Sequence, residues 1–86
     1  MLDILFPGCT VYLFGSYARG TQKRTSDIDL AIDAGRMLSS AELGQALTII
    51  EDLNVLRRVD LVDINGGIPD KLKDIILHEG IVIWKE

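Results

Sequence analysis

The sequence has little of several features, and each shortage excludes a class of protein. Its single cysteine, Cys9, cannot form an internal disulfide, which excludes a small scaffold held by disulfides. No apolar run reaches the roughly 20 residues that a membrane-spanning helix needs. The acidic Asp3 near the start is unlike a signal peptide. The cytoplasm is therefore the expected compartment, and Cys9 is interpreted as a small packed side chain.

Positive charge is also scarce. Nine lysine and arginine residues against 13 acidic residues give a formal charge of −4, so the chain lacks the basic surface that neutralises phosphates along a duplex. We expect no stable nucleic-acid binding by this chain alone. Apolar residues, in contrast, make up 48% of the 86 residues, which is rich for one small domain. Part of this apolar surface is therefore expected to meet a partner or a second copy of the chain.

Hydrophobic periodicity divides the chain, as a single domain over residues 1–86, into four strands and two helices. Strands are predicted over residues 10–14, 28–33, 58–64 and 81–84, from β-branched or alternating apolar runs. One helix begins at Ser39, whose spacing from Glu42 fits a capping box, and the other lies between Pro69 and Gly80. We predict an α/β (α+β) fold in which a mixed sheet of about four strands carries both helices on one face and the functional site on the other.

A glycine and a serine directly follow the first predicted strand. At Gly15 and Ser16 the chain must turn and begin a short helix, whose free N–H groups attract phosphate. Gly15 lets the backbone approach the anion closely, and the Ser16 hydroxyl can donate a further hydrogen bond. The Walker pattern is absent, because no Gly-Lys-Ser/Thr follows at the required spacing. An ordinary strand-to-helix turn would explain the pair equally well if it stood alone.

Two aspartates stand two positions apart at the start of the second strand. Strand periodicity directs the carboxylates of Asp27 and Asp29 the same way, and like charges held together resist ionisation unless a cation neutralises them. Hard oxygen ligands suit Mg²⁺, which binds one or two carboxylates and completes its shell with triphosphate oxygens and water. A solvated strand edge is the alternative for such a pair taken by itself.

A third carboxylate is needed near the attacking group, and the third strand offers two candidates. Asp60 and Asp63 lie on opposite faces of that strand. We prefer Asp60, because an unpaired carboxylate inside a strand is costly unless a metal or an incoming hydroxyl compensates it. Asp63, near the strand end, is interpreted as solvated.

Together these residues form a pattern that is typical of one protein family. Gly15-Ser16, then ten residues, then Asp27-Ile28-Asp29 resembles the signature of the DNA polymerase beta nucleotidyltransferase superfamily. The likeness is greatest to the minimal nucleotidyltransferases and their MntA-like antitoxin branch, and it extends over about residues 11–84. In that branch the third carboxylate lies on a later strand, which again selects Asp60. One departure is the front end, where residues 1–6 offer at most a turn or two in place of a longer leading helix.

The resemblance implies a function. The chain would use Mg²⁺, as two ions held by Asp27, Asp29 and Asp60, to transfer AMP from ATP onto a hydroxyl group. These three aspartates would be the catalytic residues, and Gly15 and Ser16, with Arg19, would bind the nucleotide. The resemblance also implies a HEPN-domain partner protein, whose tyrosine the MntA-like members adenylylate, within a toxin–antitoxin pair.

Several other side chains have ordinary structural explanations. Arg19 could reach triphosphate oxygens or lie in solvent, whereas Lys23 and Arg24 are interpreted as solvated loop charges. Tyr17 is expected to pack beside the phosphate-binding turn. His78 complements the negative end of a helix, and Trp84 could be a partner anchor or a tryptophan of the core or sheet edge.

Two rival functions remain open at the level of sequence. The chain could be a binding module that neutralises or completes a partner by direct contact while its nucleotide site is idle. It could also be the nucleotide-binding subunit of a two-chain enzyme that modifies small molecules. The sequence does not identify the acceptor, the preferred base or the oligomeric state.

Overall fold

A computed structural model describes residues 8–20, 27–53 and 58–85 of the chain. The predictions for residues 1–6, for Lys23 and Arg24, and for the side chains of Ser16 and Tyr17 lie outside this description. The elements follow in the order β1 (Thr10–Phe14), α1 (Ser16–Arg19), β2 (Ile28–Asp33), α2 (Ser40–Leu53), β3 (Val59–Asp63), α3 (Asp70–Glu79) and β4 (Ile81–Lys85). All four predicted strands and both longer helices are therefore confirmed.

The strands form one mixed sheet in the order β3-β2-β1-β4. β1 runs antiparallel to β2 and to β4, whereas β2 and β3 are parallel. The α2 helix connects the two parallel strands, as such a pair requires. This order makes β3 and β4 the two edges of the sheet and places β1 and β2 at its centre.

The two longer helices cover opposite faces of the sheet, which corrects the prediction that both lie on one face. On one face, Ala46 of α2 is buried in a core that includes Leu30. On the other face, Ile76 of α3 is buried in a second core with Phe14 and Ala31. Each helix buries its apolar stripe against its own side of the sheet, as layered packing requires.

The sequence of β2 explains why the hydrophobic pattern does not predict the second core. Ala31 lies on the same face as Asp29 and Asp33, so this face reads as polar in the sequence. In the structure Ala31 is fully buried, while its two acidic neighbours are only partly buried. The face is thus open at Asp29 and covered by α3 farther along the strand.

The start of α2 is fixed by the predicted capping box. The Glu42 backbone N–H donates to the Ser39 hydroxyl at 3.1 Å, and the Ser39 N–H donates to the Glu42 carboxylate at 3.0 Å. Arg36 also donates two hydrogen bonds to this carboxylate. The hydrogen bond from Arg36 and that from the Ser39 backbone lower the pKa of Glu42 to about 2. Glu42 therefore stays ionised while it closes the first turn.

Asp63 is a buried structural carboxylate, which corrects its interpretation as a solvated residue. It is only 6% exposed, and it accepts the backbone N–H of Leu38 at 2.7 Å and that of Asn65 at 3.0 Å. The side chain of Asn65 in turn donates to Asp33 at 2.8 Å. These bonds tie the segment before α2 to the turn after β3.

Replacing Asp63 with alanine is expected to destabilise the fold. The change leaves the buried N–H of Leu38 without its acceptor, which costs about 1–3 kcal/mol. Urea unfolding monitored by circular dichroism measures the loss. Asp60→Ala is the matched control, because Asp60 lies exposed on the same strand and its removal should not lower the stability. Equal losses in the two variants would contradict the assignment.

The last strand, β4, lies at one edge of the sheet. Pro69 precedes α3, and Gly80 ends it with an N–H bonded to the Ile76 carbonyl at 2.8 Å. The β4 strand follows as the predicted edge strand, and its apolar residues 81–84 are 40–52% exposed, Trp84 at 40%. His78 donates its Nδ1–H to the Asp74 carbonyl oxygen at 2.8 Å, within its own helix. No helix in the described residues has the length and apolar character needed to cross a membrane.

Candidate functional site

Three aspartates form the centre of the candidate site, and we call Asp27, Asp29 and Asp60 the acidic row. Asp29 and Asp60 are direct partners across the parallel pair β2 and β3. Paired residues of neighbouring strands lie roughly 4.8 Å apart and share a face of the sheet. Asp27 precedes β2 by one residue. The register places Asp60, and not Asp63, beside Asp29. The carboxylate of Asp63 accepts backbone hydrogen bonds instead.

The carboxylates of the acidic row repel one another. The pKa of Asp29 is raised above its ordinary value of 3.8, first by partial burial and then by the negative charges of Asp60 and Asp27. The positive charge of Arg19 acts in the opposite direction. Three charged groups thus act on Asp29, and a carboxylate perturbed in this way is typical of functional sites.

Gly15 brings bare backbone against Asp29. Its φ of +75° lies in the left-handed region that favours glycine. A Cβ built on Gly15 would overlap the Asp29 Oδ2 atom and come within 3.2 Å of the carboxylate carbon. The chain therefore turns out of β1 in contact with the central member of the acidic row, and a side chain at this position would displace that carboxylate.

The predicted turn after β1 is present as the short helix α1. Its single turn is closed by the Arg19 N–H, which donates to the Gly15 carbonyl at 3.1 Å. The backbone begins this turn at Ser16, as predicted. α1 lies against both β1 and β2, and Gly15, which directly precedes it, contacts Asp29. The structure thus brings Gly15 and the backbone of Ser16 to the acidic row.

Arg19 lies beside Glu79 and also interacts electrostatically with Asp29. Its Nη1 atom lies 3.8 Å from the Oε2 atom of Glu79, the last residue of α3. Its positive charge also lowers the pKa of Asp29. The Arg19 and Glu79 side chains are 51% and 47% exposed, respectively. Arg19 therefore remains accessible to a ligand above the acidic row.

The donor set fits Mg²⁺. Within the part of the chain that the structure describes, no three His, Cys, Asp and Glu side chains are grouped as ready ligands of one ion. Mg²⁺ does not require such a group, because one or two carboxylates suffice when triphosphate oxygens and water complete the octahedron. Asp29 and its neighbours supply those carboxylates at a point where their mutual repulsion favours a bound cation. The assignment of a metal to all three aspartates stays a prediction.

A separate cavity lies away from the acidic row. It measures about 300 Å³ and lies between the start of α2 and the turn after β3. Leu38, Ser39, Asp63 and Ile68 are among its lining residues, and none of the predicted site residues lines it. Asp63 lines this cavity and accepts hydrogen bonds from the segment before α2 and from the turn after β3. The cavity therefore lies where these two segments are joined.

Sequence reasoning did not single out Glu79. This residue lies 60 positions from Arg19 along the chain, and only the packing of α3 on the face of the acidic row brings the two together. An acidic residue at the end of a helix is electrostatically unfavourable. That local mismatch was the one signal available in the sequence.

Comparisons with known proteins find relatives of this chain. The family model described as polymerase beta nucleotidyltransferase matches residues 9–86. The chain is similar to the protein adenylyltransferase MntA of Shewanella oneidensis, with 39% identity over 77 residues. The match covers 86% of this chain and 52% of MntA, so the chain spans about half the length of that relative.

Solved structures show the same fold. A toxin–antitoxin structure with AMP-PNP superposes with a TM-score of 0.79 and 31% identity, over 99% of this chain and 68% of that one. A tri-AMPylated Shewanella oneidensis HEPN toxin in complex with MNT antitoxin gives a TM-score of 0.70 at 26% identity, over 99% of this chain and 64% of that one.

Proposed function

Because the chain belongs to the polymerase beta nucleotidyltransferase family, we propose that it transfers AMP from ATP onto a hydroxyl group of a HEPN-domain partner, with release of pyrophosphate, and acts as the antitoxin of that pair. The observation that carries the proposal is the acidic row beside the bare backbone of Gly15. The similarity of the chain to MntA and to the AMPylated toxin complex supports the choice of AMP and of a protein acceptor.

The residues have distinct tasks in this proposal. Gly15 and the first N–H groups of α1 hold the phosphates, and Arg19 donates hydrogen bonds to their oxygens. Asp27 and Asp29, with Asp60, would hold Mg²⁺, which supplies positive charge against the triphosphate. Asp60 is exposed on the edge strand β3, so it can accept the proton of a hydroxyl that approaches from that edge.

The partner is proposed on the same basis. Structures similar to this chain are toxin–antitoxin assemblies, and β4 exposes four consecutive apolar residues at the sheet edge. Edge strands of this kind pair readily with another chain. The cytoplasmic location and any self-association stay predictions.

A non-catalytic binding module is the second candidate function. The exposed apolar edge of β4 favours it, because such a surface could neutralise or complete a partner without any chemistry. In that case the carboxylates of the acidic row would be dispensable for neutralisation.

The proposed transfer is tested by mass spectrometry of the partner. The chain is mixed with Mg-ATP and the proposed HEPN-domain partner, and the intact mass of the partner is recorded over time. We expect the partner to gain one or more adenylate groups, and none when Mg²⁺ is replaced by a chelator. A partner that is bound and neutralised but never modified would favour the binding module.

A further inference from the structure

The guanidinium of Arg19 lies beside a carboxylate to which no role has been assigned. Glu79 Oε2 lies 3.8 Å from Arg19 Nη1, on the side of the site where α3 ends. The charge of Arg19 also acts on Asp29. One cation is therefore shared between two sets of negative charges before any nucleotide is bound.

The backbones that carry Arg19 and Glu79 are both fixed to the same strand. The Arg19 N–H is bonded to the Gly15 carbonyl, directly after β1. At the end of α3, a Cβ on Gly80 would overlap the Ile76 carbonyl oxygen and approach the Tyr12 Cβ within 3.4 Å. The close approach of Gly80 to β1 holds the preceding Glu79 beside α1. Their proximity is thus built into the packing of three elements.

The contact between Arg19 and Glu79 places a negative charge beside the guanidinium but does little to hold the two side chains in place. At 3.8 Å it exceeds hydrogen-bond length, and both side chains are about half exposed, so it contributes little to stability. A triphosphate that recruits Arg19 must draw its guanidinium away from this carboxylate. The negative charge of Glu79 opposes that step.

We propose that Glu79 is a positioning residue that competes with the nucleotide triphosphate for Arg19 and so limits the affinity of the site for the nucleotide. This inference rests on the proposed function, since it takes a nucleoside triphosphate as the ligand. It goes further because it assigns a role to Glu79 at the end of α3. The charge of Glu79 limits how readily the Arg19 guanidinium moves to the phosphates.

The test measures binding and requires no turnover. Isothermal titration calorimetry with Mg–AMP-PNP is performed on the full chain, on Glu79→Gln and on Glu79→Asp. Loss of an exposed competing charge should make Glu79→Gln bind about two- to fivefold more tightly, while Glu79→Asp stays near the unsubstituted chain. Damage to the fold would weaken binding, so tighter binding is diagnostic. The gain should disappear near 1 M salt, where the Debye length is about 3 Å.

Two controls make the result decisive. Glu51→Gln removes the same charge from the exposed face of α2, on the other side of the sheet, and should leave the affinity unchanged. In an Arg19→Gln background, Glu79→Gln should lose its effect, because the competition requires the guanidinium. Unchanged or weaker binding by Glu79→Gln, or a gain that persists without Arg19, would overturn the inference. A chain that does not bind Mg–AMP-PNP at all would overturn the proposed function as well.

Discussion

Gly15→Ala is expected to lower the rate of AMP transfer by about 100-fold or more, because it displaces the carboxylate at the centre of the site. A Cβ at Gly15 would overlap the Asp29 Oδ2 atom, and the backbone φ of +75° adds a conformational cost of about 1–2 kcal/mol for any residue with a side chain. The rate is measured as adenylate incorporated into the partner per unit time.

The control for this prediction separates backbone strain from the contact. Gly35 has a similar φ of +78°, but a Cβ there meets no atom within 4 Å. Gly35→Ala should therefore carry the same conformational cost and keep its transfer rate. Thermal unfolding of both variants verifies that they are folded at the assay temperature. If Gly35→Ala loses as much transfer activity as Gly15→Ala, the contact with Asp29 is not the cause.

Asp29→Asn is expected to reduce AMP transfer by about 10²–10³-fold while raising the unfolding temperature. In the proposed function this carboxylate holds a cation against the triphosphate, and the substitution removes it. The repulsion by Asp60 and Asp27 is lost with it, and so is the cost of burying the charge. Activity and stability should therefore change in opposite directions, which is the behaviour of a functional carboxylate and not of a structural one.

The pH dependence of this gain in stability follows from the direction of the pKa shift. The pKa of Asp29 is raised in the folded chain, so the folded state binds more protons than the unfolded state between the two pKa values. Stability of the unsubstituted chain then falls as pH rises through that interval. The stability advantage of Asp29→Asn should be small below the ordinary pKa of 3.8 and fully present at pH 7. Thermal unfolding between pH 3 and pH 7 measures it.

Asp74→Asn provides a matched control, because Asp74 is an exposed aspartate on α3. It should change neither the transfer rate nor the unfolding temperature appreciably. The same pair of variants also separates the two candidate functions. If Asp29→Asn neutralises the partner as well as the unsubstituted chain does, neutralisation proceeds by binding, and the proposed antitoxin chemistry is wrong.

The central pair of the site could be predicted because its geometry is local. Period-two alternation in a strand directs Asp27 and Asp29 the same way, and a glycine directly after β1 predicts a turn close to them. The choice of Asp60 needed one further step, the parallel pairing of β2 with β3. The observed register places Asp60 directly beside Asp29, and its role as the third carboxylate stays a prediction.

Two other interpretations failed because they depended on contacts between distant segments. Asp63 reads as a solvated strand end, but the segment before α2 folds over it and Leu38 donates to its carboxylate. The face of β2 that carries Asp29 reads as open, but α3 covers it at Ala31. In both cases a polar or small residue looked exposed because the group that covers it lies far away in the sequence.

The sequence by itself determined the elements of this protein, the family to which they belong and the pairing of Gly15 with two aspartates, since each is a matter of local spacing. Only the tertiary structure decided which face each helix covers, which of two carboxylates on β3 is structural, and that Glu79 stands beside Arg19. The physical reason is that burial and Coulomb interactions depend on distance in space, and packing alone brings residues 25 or 60 positions apart into contact.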